Sequence, residues 1–150
     1  FGLDYVVLRF ANVYGERQGD GGEGGVISIF ARAAARGETL TIFGDGAQTR
    51  DFVYAGDIAA GIRAALMTSA VNAVYNLSTA SQTNLRTLVE LLSEAAGYKI
   101  ASQYGPPRPG DIYKSALDNG QAKRCLGWQP EVSLAEGLRR TYGYFTGQGS

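Results

Sequence analysis

Short apolar runs alternate with longer stretches of helical periodicity along this chain, and this alternation restricts the fold more than any other feature. Tyr5–Phe10 is apolar and rich in β-formers, as a buried parallel strand requires. Val26–Arg36 follows, with its apolar residues spaced for one helical face. Alternating strands and helices are typical of the α/β class, which the sequence therefore predicts. The pattern continues with strands predicted at 74–77 and 100–104, and with helices predicted at 57–67, from 83 or 84 to 97, at 118–126 and after a cap at 133.

The segment Thr39–Tyr54, TLTIFGDGAQTRDFVY, carries the densest local pattern. Thr41–Phe43 is β-branched or apolar and predicts one short strand. Gly44-Asp45-Gly46 predicts a tight turn. Arg50–Tyr54 predicts a second strand, which places one arginine beside the turn.

Two arginines have the chemistry that a diphosphate requires. Arg50 stands beside the turn, and Arg108 lies between prolines in a loop, with Asp111 three residues further on. Guanidinium groups can bind phosphate oxygens in a bidentate manner, and flanking prolines lower the entropy lost when Arg108 is fixed. A neighbouring aspartate can accept hydrogen bonds from ribose hydroxyls. The alternative is that these arginines form ordinary surface ion pairs, Arg50 with Asp51 or Asp57 and Arg108 with Asp111.

The glycine-rich segment Gly19–Gly25 follows a strand and precedes a helix, and it matches glycine templates of the dinucleotide-binding type. Such a fingerprint begins directly after its strand, whereas the polar run 11–18 intervenes here. Two acidic residues within the segment would also repel a pyrophosphate. We therefore interpret it as a mobile loop on the substrate side, with a dinucleotide cradle as the alternative.

Several classes of function are disfavoured by composition. Lys plus Arg is 14 and Asp plus Glu is 14, and this zero net charge argues against a nucleic-acid or anionic-membrane partner. No apolar run approaches the ~20 residues of a membrane span. The chain has no histidine, which excludes histidine-based triads and ordinary histidine metal sites, so no metal site is predicted. Cys125 is the single cysteine, which excludes an internal disulfide and fits a reducing cytoplasm.

Read in order, these segments resemble the extended short-chain dehydrogenases, and within them the nucleotide-sugar epimerases and dehydratases. LRFANVYGERQ resembles the strand and loop after the Tyr-x-x-x-Lys helix of that family, and LTIFGDGAQTRDFVYAGDIAAGI resembles its nucleotide-sugar segment. VYNLST resembles a late strand of the Rossmann sheet, and the stretch from Pro106 to Phe145 resembles the C-terminal end of UDP-glucose 4-epimerases. The resemblance implies that residues 1–145 are the C-terminal substrate-binding part of such an enzyme, with the late strands of its Rossmann sheet, and that 146–150 is a flexible tail.

The resemblance also implies roles for residues that would hold a nucleoside diphosphate. Arg50 and Arg108 would clamp the phosphates. Asn12 would hydrogen-bond the diphosphate, and Asp111 would bind the ribose. Val26 would lie on the substrate side, at the start of its helix.

A further set of implied roles concerns the base and the cofactor. Thr41 and Phe43 would hold and stack a uracil, with Ile42 between them. Phe10 and Val13 would line the nicotinamide end of NAD, most of which would be bound by a preceding half of the protein.

The activity implied for the whole protein is NAD-dependent epimerisation of a UDP-sugar at C4. None of the nine tyrosines is followed four residues later by a lysine, so the chain lacks the Tyr-x-x-x-Lys pair and would be inactive alone. The expected parent is a cytoplasmic homodimer. Glu16 stands where the family commonly has proline. The alternatives are a nucleotide-sugar dehydratase or decarboxylase of the same family, or a free-standing nucleotide-binding module.

Overall fold

The computed structural model describes residues 2–19 and 25–147 and confirms a mixed α/β chain. In these ranges the strands are β1 (Val6–Phe10), β2 (Asn12–Tyr14), β3 (Leu40–Phe43), β4 (Thr49–Arg50), β5 (Phe52–Tyr54), β6 (Ala73–Leu77), β7 (Thr83–Asn84) and β8 (Ser102–Gly105). The helices are α1 (Val26–Ala35), α2 (Ala55–Met67), α3 (Leu85–Ala96), α4 (Gly120–Leu126) and α5 (Leu134–Phe145).

Strand pairing is mostly parallel, as the alternation of elements predicted. β1 pairs with β6, β2 with β5 and β3 with β8, all in parallel, whereas β4 and β7 are antiparallel. The strands predicted around the turn at 44–46 both form, but the second is divided at Asp51 into β4 and β5. Neither part pairs with β3. The turn therefore separates strands of different sheets.

The sequence pattern predicts a loop over residues 11–25, and this prediction is wrong at β2. The backbone N–H of Asn12 donates to the Asp51 carbonyl at 2.8 Å, and Asn12 to Tyr14 then pair with Phe52 to Tyr54. A strand of three residues is too short to show a two-residue period, and its partner lies 40 positions away. Residues 20–24 of the predicted glycine loop lie outside the described residues.

Two apolar clusters form the core. One lies among α1, α3 and α5 and contains Phe30, Leu88 and Leu138, each almost fully buried. The other lies under the β1–β6 pair and contains Tyr75 and Trp128. The first cluster buries the apolar residues that are spaced for one face of α1.

The sequence pattern predicts that α2 begins at Asp57, and the structure differs. The helix begins two residues earlier, at Ala55, and Asp57 is buried in its first turn. Its carboxylate accepts from the N–H of Val132 at 3.1 Å, and its carbonyl accepts from Trp128 Nε1 at 2.8 Å. Asp57 thus joins α2 to the segment between α4 and α5.

The predicted ends of α3 are confirmed. Asn84 is the N-cap, and its side chain accepts from the N–H of Thr87 at 2.9 Å. Gly97 ends the helix with φ of 76°, a left-handed conformation that glycine adopts without strain.

Replacing Asn84 with alanine should lower the free energy of unfolding by about 1 kcal/mol, because the first turn of α3 loses its side-chain acceptor. Urea denaturation of the two proteins measures the difference. Asn84→Asp keeps an acceptor and is the matched control. An unchanged midpoint in Asn84→Ala, or an equal loss in Asn84→Asp, would contradict the capping role.

The C-terminal helix α5 has the predicted N-cap at Ser133, whose hydroxyl accepts from the N–H of Glu136 at 3.3 Å. The helix ends at Phe145, and Thr146 closes it by donating to the Tyr142 carbonyl. The tail predicted at 146–150 is described only for its first two residues, so its flexibility stays a prediction. None of the helices described here is long and apolar enough to cross a membrane.

Candidate functional site

A cavity of about 160 Å³ lies between the start of α1, strand β3 and the loop that follows β8. It brings together six of the eight predicted substrate-binding residues, which come from four separate parts of the chain: Val26, Thr41, Phe43, Arg50, Arg108 and Asp111. Thr41 and Phe43 lie at alternate positions of β3, so both side chains leave the same face of the strand.

Ile42, which was predicted to lie with them, points the other way. Its side chain is 1% exposed and belongs to the core cluster of α1, α3 and α5. The two-residue period of a strand explains this difference, because neighbours on a strand face opposite sides. The structure therefore does not bring the Ile42 side chain to the cavity.

Arg50 organises the loop that carries Asp111. Its Nη2 pairs with Asp111 Oδ1, and its Nη1 donates to the Ile112 carbonyl and, at 2.8 Å, to the Thr49 carbonyl. The expected alternative of Arg50 paired with Asp51 or Asp57 is wrong, since both of those aspartates are buried in other hydrogen bonds. Arg50 and Asp111 hold each other in place at one end of the cavity.

The backbone strengthens this link between β4 and the loop. The N–H of Thr49 donates to the Tyr113 carbonyl at 2.9 Å, and the N–H of Ser115 donates to the Thr49 carbonyl at 3.3 Å. The loop thus runs as a short extra strand beside β4, with an isolated parallel bridge between Thr49 and Lys114. Asp111 is positioned by this backbone pairing as well as by Arg50.

Arg108 stacks on Phe43 instead of pairing with Asp111. Its Cζ lies 4.0 Å from the centre of the Phe43 ring, which is a cation–π geometry. The surface alternative of an Arg108–Asp111 ion pair is not what the structure shows, because Asp111 is paired with Arg50. The stacking leaves the edges of the guanidinium available as donors beside the aromatic ring.

Gln48 is a cavity residue that the sequence reasoning missed. It is buried, and its Nε2 donates to the Phe43 carbonyl at 2.7 Å, which fixes the turn after β3. It also lines a second cavity of about 560 Å³, which shares Phe43, Arg108 and Asp111 with the first. Nothing in the sequence distinguishes Gln48 from an exposed turn residue, so its burial was not predictable.

Asn12 lies apart from this cavity. Its backbone belongs to β2 and pairs with β5 as described above, and the residue is half-buried. The structure does not place Asn12 among the residues that line the cavity with Arg50 and Arg108.

A separate cavity of about 650 Å³ lies at the loop after β2 and includes Val13, Glu16 and Tyr144. The Tyr54 hydroxyl donates to the Glu16 carboxylate, and the Arg140 guanidinium lies 5.5 Å from the centre of the Tyr54 ring. Burial, and then the bond to Glu16, raise the pKa of the Tyr54 phenol. Glu16 therefore anchors its loop to β5 and faces α5.

Two of the described residues suit the nicotinamide end of the expected NAD cofactor. Phe10, at the carboxyl end of β1, is 44% exposed, and Val13 lines the cavity at the loop after β2, so both offer apolar contacts to a flat ring. Strand β2 leads through the glycine-rich segment to α1, and residues 20–24 of that segment lie outside the described ranges, so a dinucleotide cradle at this segment stays an alternative. The same ranges contain no group of three or more acidic or cysteine residues suited to a metal ion.

Comparison with known proteins gives consistent matches. Residues 1–78 match the family model described as the NAD dependent epimerase/dehydratase family. A solved structure of UDP-glucose 4-epimerase from Thermotoga maritima with UDP-glucose is 48% identical with a TM-score of 0.92, covering 97% of this chain and 47% of that one.

Two curated relatives likewise match most of this chain but less than half of their own length. UDP-glucose 4-epimerase of Mycolicibacterium smegmatis is 40% identical over 97% of this chain and 46% of that protein. UDP-glucuronic acid decarboxylase 1 of Danio rerio is 33% identical over 97% of this chain and 34% of that protein. The chain thus spans about half or less of the length of the relatives it matches. It belongs to the NAD-dependent epimerase/dehydratase family.

Proposed function

We propose that this chain is the C-terminal, UDP-sugar-binding portion of an NAD-dependent UDP-glucose 4-epimerase. The observation that carries the proposal is the single cavity in which Phe43, Arg50, Arg108 and Asp111 meet. Those residues supply an aromatic face, two guanidinium groups and a carboxylate, which are the contacts that a base, a diphosphate and a ribose need. The similarity to UDP-glucose 4-epimerases supports the same choice of ligand.

In this proposal the aromatic ring of Phe43 stacks the uracil, and Thr41 holds it from the same face of β3. Val26 closes the cavity at the start of α1. Ile42 can contribute only through its backbone, because its side chain is in the core.

The charged residues then bind the rest of the nucleotide. Arg50 and Arg108 donate to the diphosphate, and the Asp111 carboxylate accepts from a ribose hydroxyl. Arg50, Asp111 and the loop hold one another in the structure, so less ordering is required on binding. Asn12, in β2, would hydrogen-bond the diphosphate from outside this cavity.

NAD would be bound mainly by another part of the longer protein, with Phe10 and Val13 against its nicotinamide end. When bound, NAD supplies the hydride acceptor and donor for chemistry at C4 of the sugar. The residues of this chain fix the UDP so that the sugar is held against that ring, which is a positioning role. The chain carries no Tyr-x-x-x-Lys pair, so it is expected to be inactive alone.

A decarboxylase or dehydratase of the same family is the second candidate. The 33% identity to UDP-glucuronic acid decarboxylase 1 favours it, because a shared nucleotide site does not determine the chemistry at the sugar. Turnover of UDP-glucose against UDP-glucuronate by the longer protein separates the two. The cytoplasmic location and the homodimeric parent stay predictions.

Calorimetric titration with UDP tests the proposed site, and we expect a single binding event. dTDP lacks the ribose 2′-hydroxyl, so it should bind more weakly if Asp111 accepts from that group. Phe43→Leu keeps an apolar side chain and removes the aromatic face. It should weaken the binding of UDP by about 1–3 kcal/mol, the value of a base–aromatic stack. Equal affinity of the wild type and Phe43→Leu for UDP would refute the stacking role.

A further inference from the structure

The two arginines of the candidate site are held in different ways. Arg50 donates to the Asp111 carboxylate and to two backbone carbonyls, so its guanidinium is anchored by directional bonds. Arg108 is exposed, and among the residues that the structure describes no carboxylate or carbonyl oxygen pairs with its guanidinium. The Phe43 ring holds it instead, with the ring centre 4.0 Å from Cζ. Arg108 is therefore the arginine whose side chain can change position.

The backbone around Arg108 is restrained, so such a change involves the side chain alone. Pro107 and Pro109 flank Arg108, and each proline fixes its own φ. The N–H of Asp111 also donates to the Arg108 carbonyl at 3.2 Å. The long, exposed side chain can rotate between rotamers while this loop stays in place.

The Phe43 ring is already in contact on two sides. Gly105 of β8 is paired in register with Phe43, and a Cβ at Gly105 would lie 3.3 Å from Cδ1 of the ring. Arg108 covers a face of the ring at a separation typical of stacked atoms in contact. A base stacked on that face needs the same layer of space. Arg108 and a stacked base therefore exclude each other on this face.

We propose, as an inference that rests on the proposed function, that Arg108 makes the site selective for a nucleoside diphosphate over the bare nucleoside. A base can stack on Phe43 only after the guanidinium leaves the ring, and its departure forfeits the cation–π interaction. A diphosphate offers that guanidinium bidentate contacts in exchange, whereas a nucleoside offers none. The phosphates of the ligand thus uncover the ring on which its base stacks.

The position of Arg50 strengthens this selectivity. Arg50 and Arg108 line the same cavity, so both guanidinium groups can reach one diphosphate there. When Arg108 leaves the ring towards Arg50, two positive charges come closer together. Phosphates compensate for this repulsion, but a nucleoside carries no charge that could do so. The displaced position of Arg108 is therefore favourable only with a phosphorylated ligand.

Titration of the wild type and of Arg108→Ala with UDP and with uridine tests the proposal. We expect effects of opposite sign. Arg108→Ala should weaken UDP binding about tenfold, the scale of a lost charged hydrogen bond. It should strengthen uridine binding about two- to fivefold, the factor that corresponds to an exposed cation–π contact.

Two further variants isolate the cause. Arg50→Ala removes a guanidinium from the same cavity but uncovers no ring, so it should not strengthen uridine binding. In a Phe43→Leu background the stacking face is absent. Arg108→Ala should then give no gain for uridine.

Unchanged uridine affinity in Arg108→Ala would overturn the proposal, because the base would then use a part of the ring that Arg108 does not cover. Weaker uridine binding would overturn it as well and would place the base on the guanidinium itself. In both cases UDP binding by the wild type leaves the proposed nucleotide site in place. Failure of the wild type to bind UDP would instead refute the proposed function, and the selectivity with it.

Discussion

Gly137→Ala is expected to destabilise the chain more than any other single change considered, by about 2 kcal/mol. A Cβ at Gly137 would lie 2.7 Å from Cζ of Tyr14, and closer still to its hydroxyl. Tyr14 cannot move aside, because it is 3% exposed and its ring packs edge-on against Phe52 and Tyr54. Overpacking of this kind costs about 1–3 kcal/mol or more, and alanine recovers roughly 1 kcal/mol of helix propensity.

Chemical denaturation measures this loss, and a double-mutant cycle identifies its cause. Tyr14→Leu removes the ring atoms that the new Cβ would meet. In that background Gly137→Ala should be neutral or stabilising, whereas in the wild type it destabilises. An equal loss in both backgrounds would mean that the contact between α5 and Tyr14 is not the reason.

Arg50→Ala is expected to weaken UDP binding in two ways. If Arg50 donates to the diphosphate, its removal should weaken the binding of UDP by about 1–3 kcal/mol, the scale of a lost charged hydrogen bond. The same change also releases Asp111 and the Ile112 carbonyl, so the loop after β8 loses its side-chain anchor. Calorimetry with UDP gives the total effect.

Uridine separates the two contributions, because it lacks the phosphates. If Arg50 contacts the phosphates, Arg50→Ala should lower the affinity for UDP much more than the affinity for uridine. If Arg50 only holds the loop, both affinities should fall by the same factor. Arg36→Ala removes a comparable arginine from an exposed ion pair with Glu38 and should leave both affinities unchanged. UDP affinity equal to that of the wild type in Arg50→Ala would defeat the clamp assignment.

The helices were predictable because their information is local. The cap of α3 at Asn84 and its glycine stop at Gly97 lie within one stretch of sequence, and the structure has both where they were predicted. The short strands were not predictable. β2 and β7 have three and two residues, and each exists because a partner more than 30 positions away completes its hydrogen bonds.

The candidate site, too, could be predicted from the sequence only in part. The residue types that converge on the cavity were visible in the sequence, but their partners were not. Arg50 pairs with an aspartate 61 positions away, not with either nearby one. Ile42 is a different kind of error, because the alternation of β3 already indicated that it faces away from Thr41 and Phe43.

The attachment of the loop after β8 to β4 has a consequence for how the chain folds. Every bond in it joins residues more than 60 positions apart, so a large loop must close before any of them forms. Such high-contact-order features are slow to form, and we expect this one to follow the helical core. A partly folded chain would then have its helices but no nucleotide site. A ligand that binds only the completed site would bind after the helical core has formed, and it would raise the apparent stability by mass action.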